Sequence, residues 1–323
     1  MKCFGIYDEV INLDLNLNIK EVKEPMENKI PEKQIKIDAS LTKELWNDHI
    51  KRLKASNNSE ILKMKPPEIF KALSEQIYSS FEKTLPNKFA LLFSGGVDST
   101  IIAYVAKKFK RDFVCITAGF LDSHDLKLSK IVSKYYGFNH EIIEIDSKTL
   151  EKIIPLTKQI ISDSNYVKIS VGLVFVFALH YSKYMNNFEH IVTGLGSEEI
   201  FAGYQRHEQA KSINDECWNG LFSLYERDLS RDIAIFNHYK KKSVLPFLSN
   251  DLIRLSMKIP SELKIKNSVK KYCLRKATVI LGLKEEFSVE PKKAAQYGSN
   301  VDKEIGKLAK SKKIPKSKYV KII

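Results

Sequence analysis

The stretch FALLFSGGVDSTIIAYVAKKF, Phe89 to Phe109, constrains this chain more than any other. Phe89 to Phe93 is an apolar run of strand length. Ser94-Gly95-Gly96 then breaks the chain, and a helix-spaced run follows from Ser99 to Lys108. A strand that turns on glycines into a helix leaves free backbone N–H groups at the helix start, and glycine lets phosphate oxygens approach them. Asp98 puts a carboxylate inside that anion cradle. The arrangement makes sense if a cation bridges the acid to phosphate, which points to Mg²⁺. No Gly-Lys-Ser/Thr follows, so this is not a Walker loop, and the G-x-G-x-x-G spacing of dinucleotide folds is absent. An ordinary strand–turn–helix corner has the same composition and stays open as the alternative.

The pattern repeats downstream. DFVCITAGF (112–120) and HEIIEID (140–146) predict further buried strands, HDLKLSKIVSKYYG a helix ending at Gly137, and HIVTG (190–194) a fourth strand. Strand–helix alternation means an α/β fold with a doubly wound parallel sheet. A helix opens at Pro66-Pro67 with Ile69, Phe70, Leu73, Ile77 and Phe81 on one face. From Ser197 the pattern is helical. Three segments are expected: a polar N-terminal extension over 1–65 with an amphipathic piece near LTKELWNDHIKRLK, an α/β domain over 66–300, and a basic tail over 301–323.

The longest apolar run, VGLVFVFALHY, is too short to span a bilayer, and the N-terminus lacks a signal-peptide core. The four cysteines are far apart with no C-x-x-C pair, which argues against zinc or iron–sulfur chemistry and for a cytoplasmic setting. The formal net charge is +14, and it is clustered. Lysines 240–242 form one group, the basic residues of 264–276 a second, and the last 33 residues carry ten Lys against one Asp and one Glu. Clustered cations fit a polyanionic partner such as a nucleic acid; a lysine-rich solvated surface is the plainer alternative.

S-G-G-x-D-S after a strand resembles the pyrophosphate loop of the N-type ATP pyrophosphatases, the PP-loop or adenine nucleotide alpha-hydrolase type of fold. That resemblance implies cleavage of ATP between the α- and β-phosphates. A second segment, TGLGSEEIFAGYQRH (193–207), is similar to S-G-E-G-A-D-E-L-F-G-G-Y of asparagine synthetases. Weaker matches follow in order: AGFLDSHDLKLSK, SVLPFLSNDLI, and KKYCLRKA against K-Y-x-L-R-K-A. The resemblance covers about residues 70 to 300. It implies that Ser94, Gly95, Gly96, Asp98, Ser99, Thr100 and Thr117 contact the nucleotide, with Thr193, Gly194 and Gly196 on the second loop. Asp98 and Glu198 would hold Mg²⁺, and Lys271 would stabilise charge as an acyl-adenylate forms and collapses. Lys292, with Lys293, would lie near phosphates or else begin a solvated tail.

Three positions depart from asparagine synthetases. The chain begins Met-Lys-Cys rather than Met-Cys-Gly, so Cys3 is not expected to act as a glutaminase nucleophile, and ammonia would come free or from a separate glutaminase. Leu195 stands where the family has the Glu of S-G-E-G, and leucine offers no counter-charge to a zwitterion. Ser249 replaces the usual Asp. These features resemble the glutaminase-lacking asparagine synthetase domain-containing proteins of archaea and eukaryotes. The expected activity is an AMP- and pyrophosphate-forming amide ligase that uses ATP, Mg²⁺ and ammonia on a carboxylate. The acceptor would be one on tRNA, such as 5-carboxymethyluridine converted to its carbamoylmethyl amide. An ammonia-dependent asparagine synthetase and a non-catalytic nucleotide- or RNA-binding protein are the alternatives.

Overall fold

The computed structural model describes residues 33–57, 60–290 and 293–323. Cys3 and Lys292 lie outside the described residues. Five strands form one parallel sheet: β1 (Lys88–Leu92), β2 (Asp112–Gly119), β3 (His140–Glu144), β4 (His190–Val192) and β5 (Lys242–Val244), in the order β3-β2-β1-β4-β5. β1 pairs with β2 from Lys88 opposite Asp112 to Leu92 opposite Ile116, and with β4 at Ala90–Ile191 and Leu91–Val192.

The two-residue side-chain period gives the sheet two apolar faces. Phe89, Leu91, Cys115 and Val192 face a core built with α1 (Lys43–Ser56), α2 (Pro66–Thr84) and α3 (Val97–Lys108). Ala90, Val114, Ile116 and Ile191 face the other core, with α5 (Ser147–Ile161) and α6 (Tyr166–Tyr181). This is the expected doubly wound fold. α4 (His124–Tyr136) ends at Gly137 in the left-handed conformation, as its sequence predicts, and Pro66 opens α2. Among the described residues no single helix is long and apolar enough to cross a membrane.

Three features differ from the sequence reading. β5 is a three-residue strand inside the stretch read as helical. The amphipathic piece in the presumed extension is α1, whose Trp46, His49, Ile50 and Leu53 are buried and whose indole donates to Leu221 O at 2.7 Å. The presumed tail is two helices, Val301–Ser311 and Lys316–Ile322, with Val301, Ile305, Ala309, Tyr319 and Val320 in the second core. The second basic cluster is also corrected, because it is not a surface patch. Lys264, Lys271 and Arg275 are buried, and Lys270 and Lys276 pair with Glu208 and Glu285. Of the first cluster, Lys241 donates to Phe188 O and Lys242 pairs with Glu189.

From β1 the chain winds outward through β2 to β3, and β4 then starts on β1's other side. The crevice at the carboxyl ends of β1 and β4 is therefore a topological switch point, where open α/β sheets bind ligands. Both Gly loops open there.

Candidate active site

The first loop is held tightly. Gly95 has φ +77°, and a Cβ there would meet Ser129 N at 2.8 Å, so the turn against α4 requires glycine. Gly96 caps α3 without a side chain, which leaves first-turn N–H groups facing the crevice. Thr100 donates its hydroxyl to Gly95 O at 2.9 Å, and Ser99 to Gly96 O at 3.2 Å. The second loop touches the first: a Cβ on Gly194 would lie 3.0 Å from Asp98 Cβ. Gly196, at φ +100°, makes room for Leu248, which a Cβ would meet at 2.4 Å.

Between the loops lies a buried ion cluster. Lys271 Nζ stands 2.9 and 2.7 Å from the two oxygens of Asp98, 2.8 Å from Glu198 Oε1 and 3.0 Å from Ser197 Oγ. Asp98 enters on the first turn of α3, and Glu198 on the short helix Ser197–Ile200 after β4. Lys271 follows a hairpin of β6 (Ile265–Lys266) and β7 (Val269–Lys270) and is itself left-handed at φ 56°. A strained, buried lysine persists only where its surroundings over-determine it. Two carboxylates and one ammonium leave this trio with a net charge of −1. Hard oxygen donors with surplus negative charge suit Mg²⁺, so the residues present fit the expected metal. Gly203 supplies the space, since a Cβ there would sit 1.5 Å from Glu198 Oε2.

A cavity of about 390 Å³ opens over this cluster. Of the expected residues, Ser94, Asp98, Ser99, Thr117, Thr193, Gly194 and Glu198 are on its wall, with Leu195 and Lys293. Gly95, Gly96, Thr100, Gly196 and Lys271 are not: the glycines and Thr100 shape the loops, and Lys271 is held by the two acids. Thr117 is engaged already, donating to Phe93 O and meeting His140 Nε2 at 2.8 Å.

Ser133 Oγ lies 2.8 Å from His140 Nδ1, and burial lowers the imidazole to about 4. The folded protein therefore refuses a proton that the unfolded chain accepts below about pH 6.5. Stability from the neutral ring is present above that value and is lost as pH falls toward 4. His207 is likewise lowered to about 4 by burial. Replacing His140 with Gln should thus remove its share of that slope, roughly 1.4 kcal/mol per pH unit at its steepest. Urea unfolding of both proteins between pH 4 and 7 measures this; parallel curves would mean that His140 titrates normally.

The sequence reading missed the charged part of the wall. The helices Ile213–Leu224 and Ser230–His238 are joined by a π-helical turn, Tyr225–Leu229, of a kind frequent at functional sites. The turn brings Asp228, Arg231 and Asp232 onto the cavity. Arg231 donates Nε to Asp232 Oδ1 at 2.7 Å and Nη1 to Asp228 Oδ1 at 3.0 Å; Arg227 donates to Asp228 Oδ2 at 2.7 Å and to Glu199. Burial works to raise Asp228, yet two guanidiniums hold it below the usual carboxylate range. Burial raises Asp232 to about 7 against the pull of Arg231. Spacing at 228, 231 and 232 on one helical face was the available signal. Asp125, inside the quoted AGFLDSHDLKLSK match, also lies on the wall; Val171, Val174, Phe175 and Ala178 of α6 make it apolar opposite.

The asparagine synthase family model matches residues 86–244 and 242–320. A Methanocaldococcus jannaschii chain assigned the name glutamine-hydrolysing asparagine synthetase 1 is 26% identical over 262 residues, 69% of this chain and 48% of its own length. An asparagine synthetase domain-containing protein of Saccharomyces cerevisiae is 25% identical over 251 residues, 65% of this chain and 47% of the relative. Asparagine synthetase domain-containing protein 1 of Homo sapiens is 30% identical over 131 residues, 37% of this chain and 20% of the relative. The chain thus spans about half the length, or less, of the curated relatives it matches.

Proposed function

We propose that this chain, which belongs to the asparagine synthase family, is an ATP-dependent ligase that adenylates a carboxylate, releases pyrophosphate, and converts the acyl-adenylate to an amide with ammonia. The observation that carries this reading is the Asp98–Lys271–Glu198 cluster between two glycine loops at the switch point. The N–H groups at the start of α3 and the Ser94 and Ser99 hydroxyls would hold the pyrophosphate portion. Thr193 and Gly194 would flank the nucleotide. Asp98 and Glu198 would hold Mg²⁺, which when bound neutralises polyphosphate charge. Lys271, kept in place by both acids, would supply positive charge where it develops on the phosphoryl oxygens.

Attack of the acceptor carboxylate on the α-phosphorus forms the acyl–O–P bond and breaks the bond to pyrophosphate. Attack by ammonia then forms C–N and releases AMP. Exclusion of water by the apolar wall of α6 protects the adenylate from hydrolysis. That wall and Leu195 support an acceptor whose carboxylate is carried on a flat, uncharged group, such as 5-carboxymethyluridine in tRNA. A second reading, free aspartate, is favoured by one observation: Arg231 and Asp232 on the same cavity could meet a zwitterion.

The test is AMP and pyrophosphate release from Mg²⁺-ATP and ammonium, with tRNA carrying 5-carboxymethyluridine, with aspartate, and with neither. Release that needs the tRNA, with conversion of the acid nucleoside to its amide, is the expected result. Dependence on aspartate alone would replace the acceptor, and release with neither would sink the ligase reading.

A further inference from the structure

We propose that Asp232 is the base that takes a proton from ammonium in the amide-forming step, an inference that rests on the ligase reading above. Ammonia is mostly protonated near neutral pH, and an ammonium nitrogen has no lone pair with which to attack. A proton acceptor in the cavity would bring the protonated majority into the reaction. The cavity's acids are Asp98, Asp125, Glu198, Asp228 and Asp232. Asp98 and Glu198 hold Lys271. Asp125 faces His124, Oδ1 to Nδ1 at 3.4 Å. Asp228 lies between two guanidiniums, which makes it a poor base.

Asp232 differs. Arg231 holds Oδ1 through Nε and Nη2, each at 2.7 Å, while Oδ2 is buried with no hydrogen-bond partner. The side chain is 2% exposed and lies on the cavity that holds Leu195. A fixed carboxylate with one oxygen unbonded on the cavity wall fits a small cation with N–H donors. The charged groups acting on it are Arg231 of its own helix and Asp228 of the π turn. α6 presents Phe175, over which Arg231 lies at 5.5 Å, and the buried face of α5 is Leu150, Ile153, Ile154 and Thr157. Burial also lifts Asp232 to about 7, a range suited to a base working near neutrality.

In the step, ammonium gives one proton to Oδ2, and the freed nitrogen lone pair forms the C–N bond to the acyl carbon. The C–O bond to AMP breaks with its electron pair leaving on the phosphate oxygen. The second excess proton on nitrogen passes to solvent.

Asp232→Asn separates the half-reactions. With carboxymethyluridine tRNA as acceptor, the variant is compared with wild type in ATP–pyrophosphate exchange and in amide formation, and the second should fall far more than the first. Amide formation from ammonium should fall about 10²-fold or more. Hydroxylamine, already the free base at neutral pH, should still give hydroxamate, and Asp232→Glu should recover part of the ammonium reaction. Equal loss with ammonium and hydroxylamine, or loss of exchange as well, would overturn the assignment and leave Asp232 an acceptor-binding or structural group. Should D232N not fold, the wild-type rate at fixed total ammonium decides. It should level off above about pH 7; a rate that climbs with the free-ammonia fraction toward ammonia's own pKa would overturn the proposal. Absence of exchange by wild type with this tRNA and with aspartate would overturn the ligase reading and this assignment together.

Discussion

Replacing Lys271 with methionine should cost the chain both its reaction and about 3–5 kcal/mol of stability. Lys271 is 2% exposed, and its ammonium makes contacts of 2.7–2.9 Å with two carboxylates from different loops. Methionine keeps the bulk and removes the charge, so Asp98 and Glu198 would face each other buried with no lysine between them. Breaking a buried ion cluster by removing one partner costs more than the cluster contributes, because the remaining charges keep their desolvation penalty. The same loss removes a preorganised positive charge from the proposed adenylation site, worth about 10²–10³ in rate. Urea unfolding and AMP release measure the two effects separately. Mg²⁺ alone should restore part of the lost stability, since the acid pair remains to receive it. A methionine variant as stable as wild type would show that Lys271 does not hold the loops; unchanged AMP release would remove it from the reaction.

The contrast between legible and hidden features follows from which interactions are local. Phe89–Phe93, Gly95 and Asp98 sit within one strand–turn–helix unit, whose period and glycines are readable without knowing what lies across the sheet. The turn of the second loop was readable for the same reason, whereas Glu198 was singled out on it by resemblance. Lys271 was placed by resemblance; nothing in KKYCLRKA states that one lysine of a basic run is buried and the next is paired at the surface. Charge counts misled at 264–276 and 301–323 because Lys stems and apolar residues alternate there. The 3.6-residue period of Val301, Ile305 and Ala309 is visible only once the lysines between them are set aside. Asp228, Arg231 and Asp232 share a helical face by spacing alone, but which cavity that face meets depends on the π turn, and no residue type announces such a turn.

Gly203 shows how far this extends, and Gly203→Ala should abolish the proposed reaction while costing the fold little. The residue was quoted in the family-like segment for its position, yet its meaning is tertiary. An alanine Cβ would stand 1.5 Å from Glu198 Oε2 and 2.6 Å from Lys271 Cε, so the two side chains cannot keep their places. Both are flexible at their ends, and the clash would be relieved by rotating Glu198 away rather than by moving backbone. The expected stability loss is therefore about 1–3 kcal/mol, the range for modest overpacking. Activity is another matter, since a group displaced by about 1 Å from its working position can cost 10²-fold. A shortened acid should relieve the clash: Glu198→Asp and Gly203→Ala together should be less damaging than the sum of the two alone. That coupling, on the scale of 0.5–3 kcal/mol for residues in contact, is read from a double-mutant cycle on AMP release. Additive losses would mean that Gly203 does not act through Glu198. A Gly203→Ala variant with wild-type rate would mean that the Glu198 carboxylate can leave Lys271 without consequence, and the site would then have to be rebuilt around Asp98 alone.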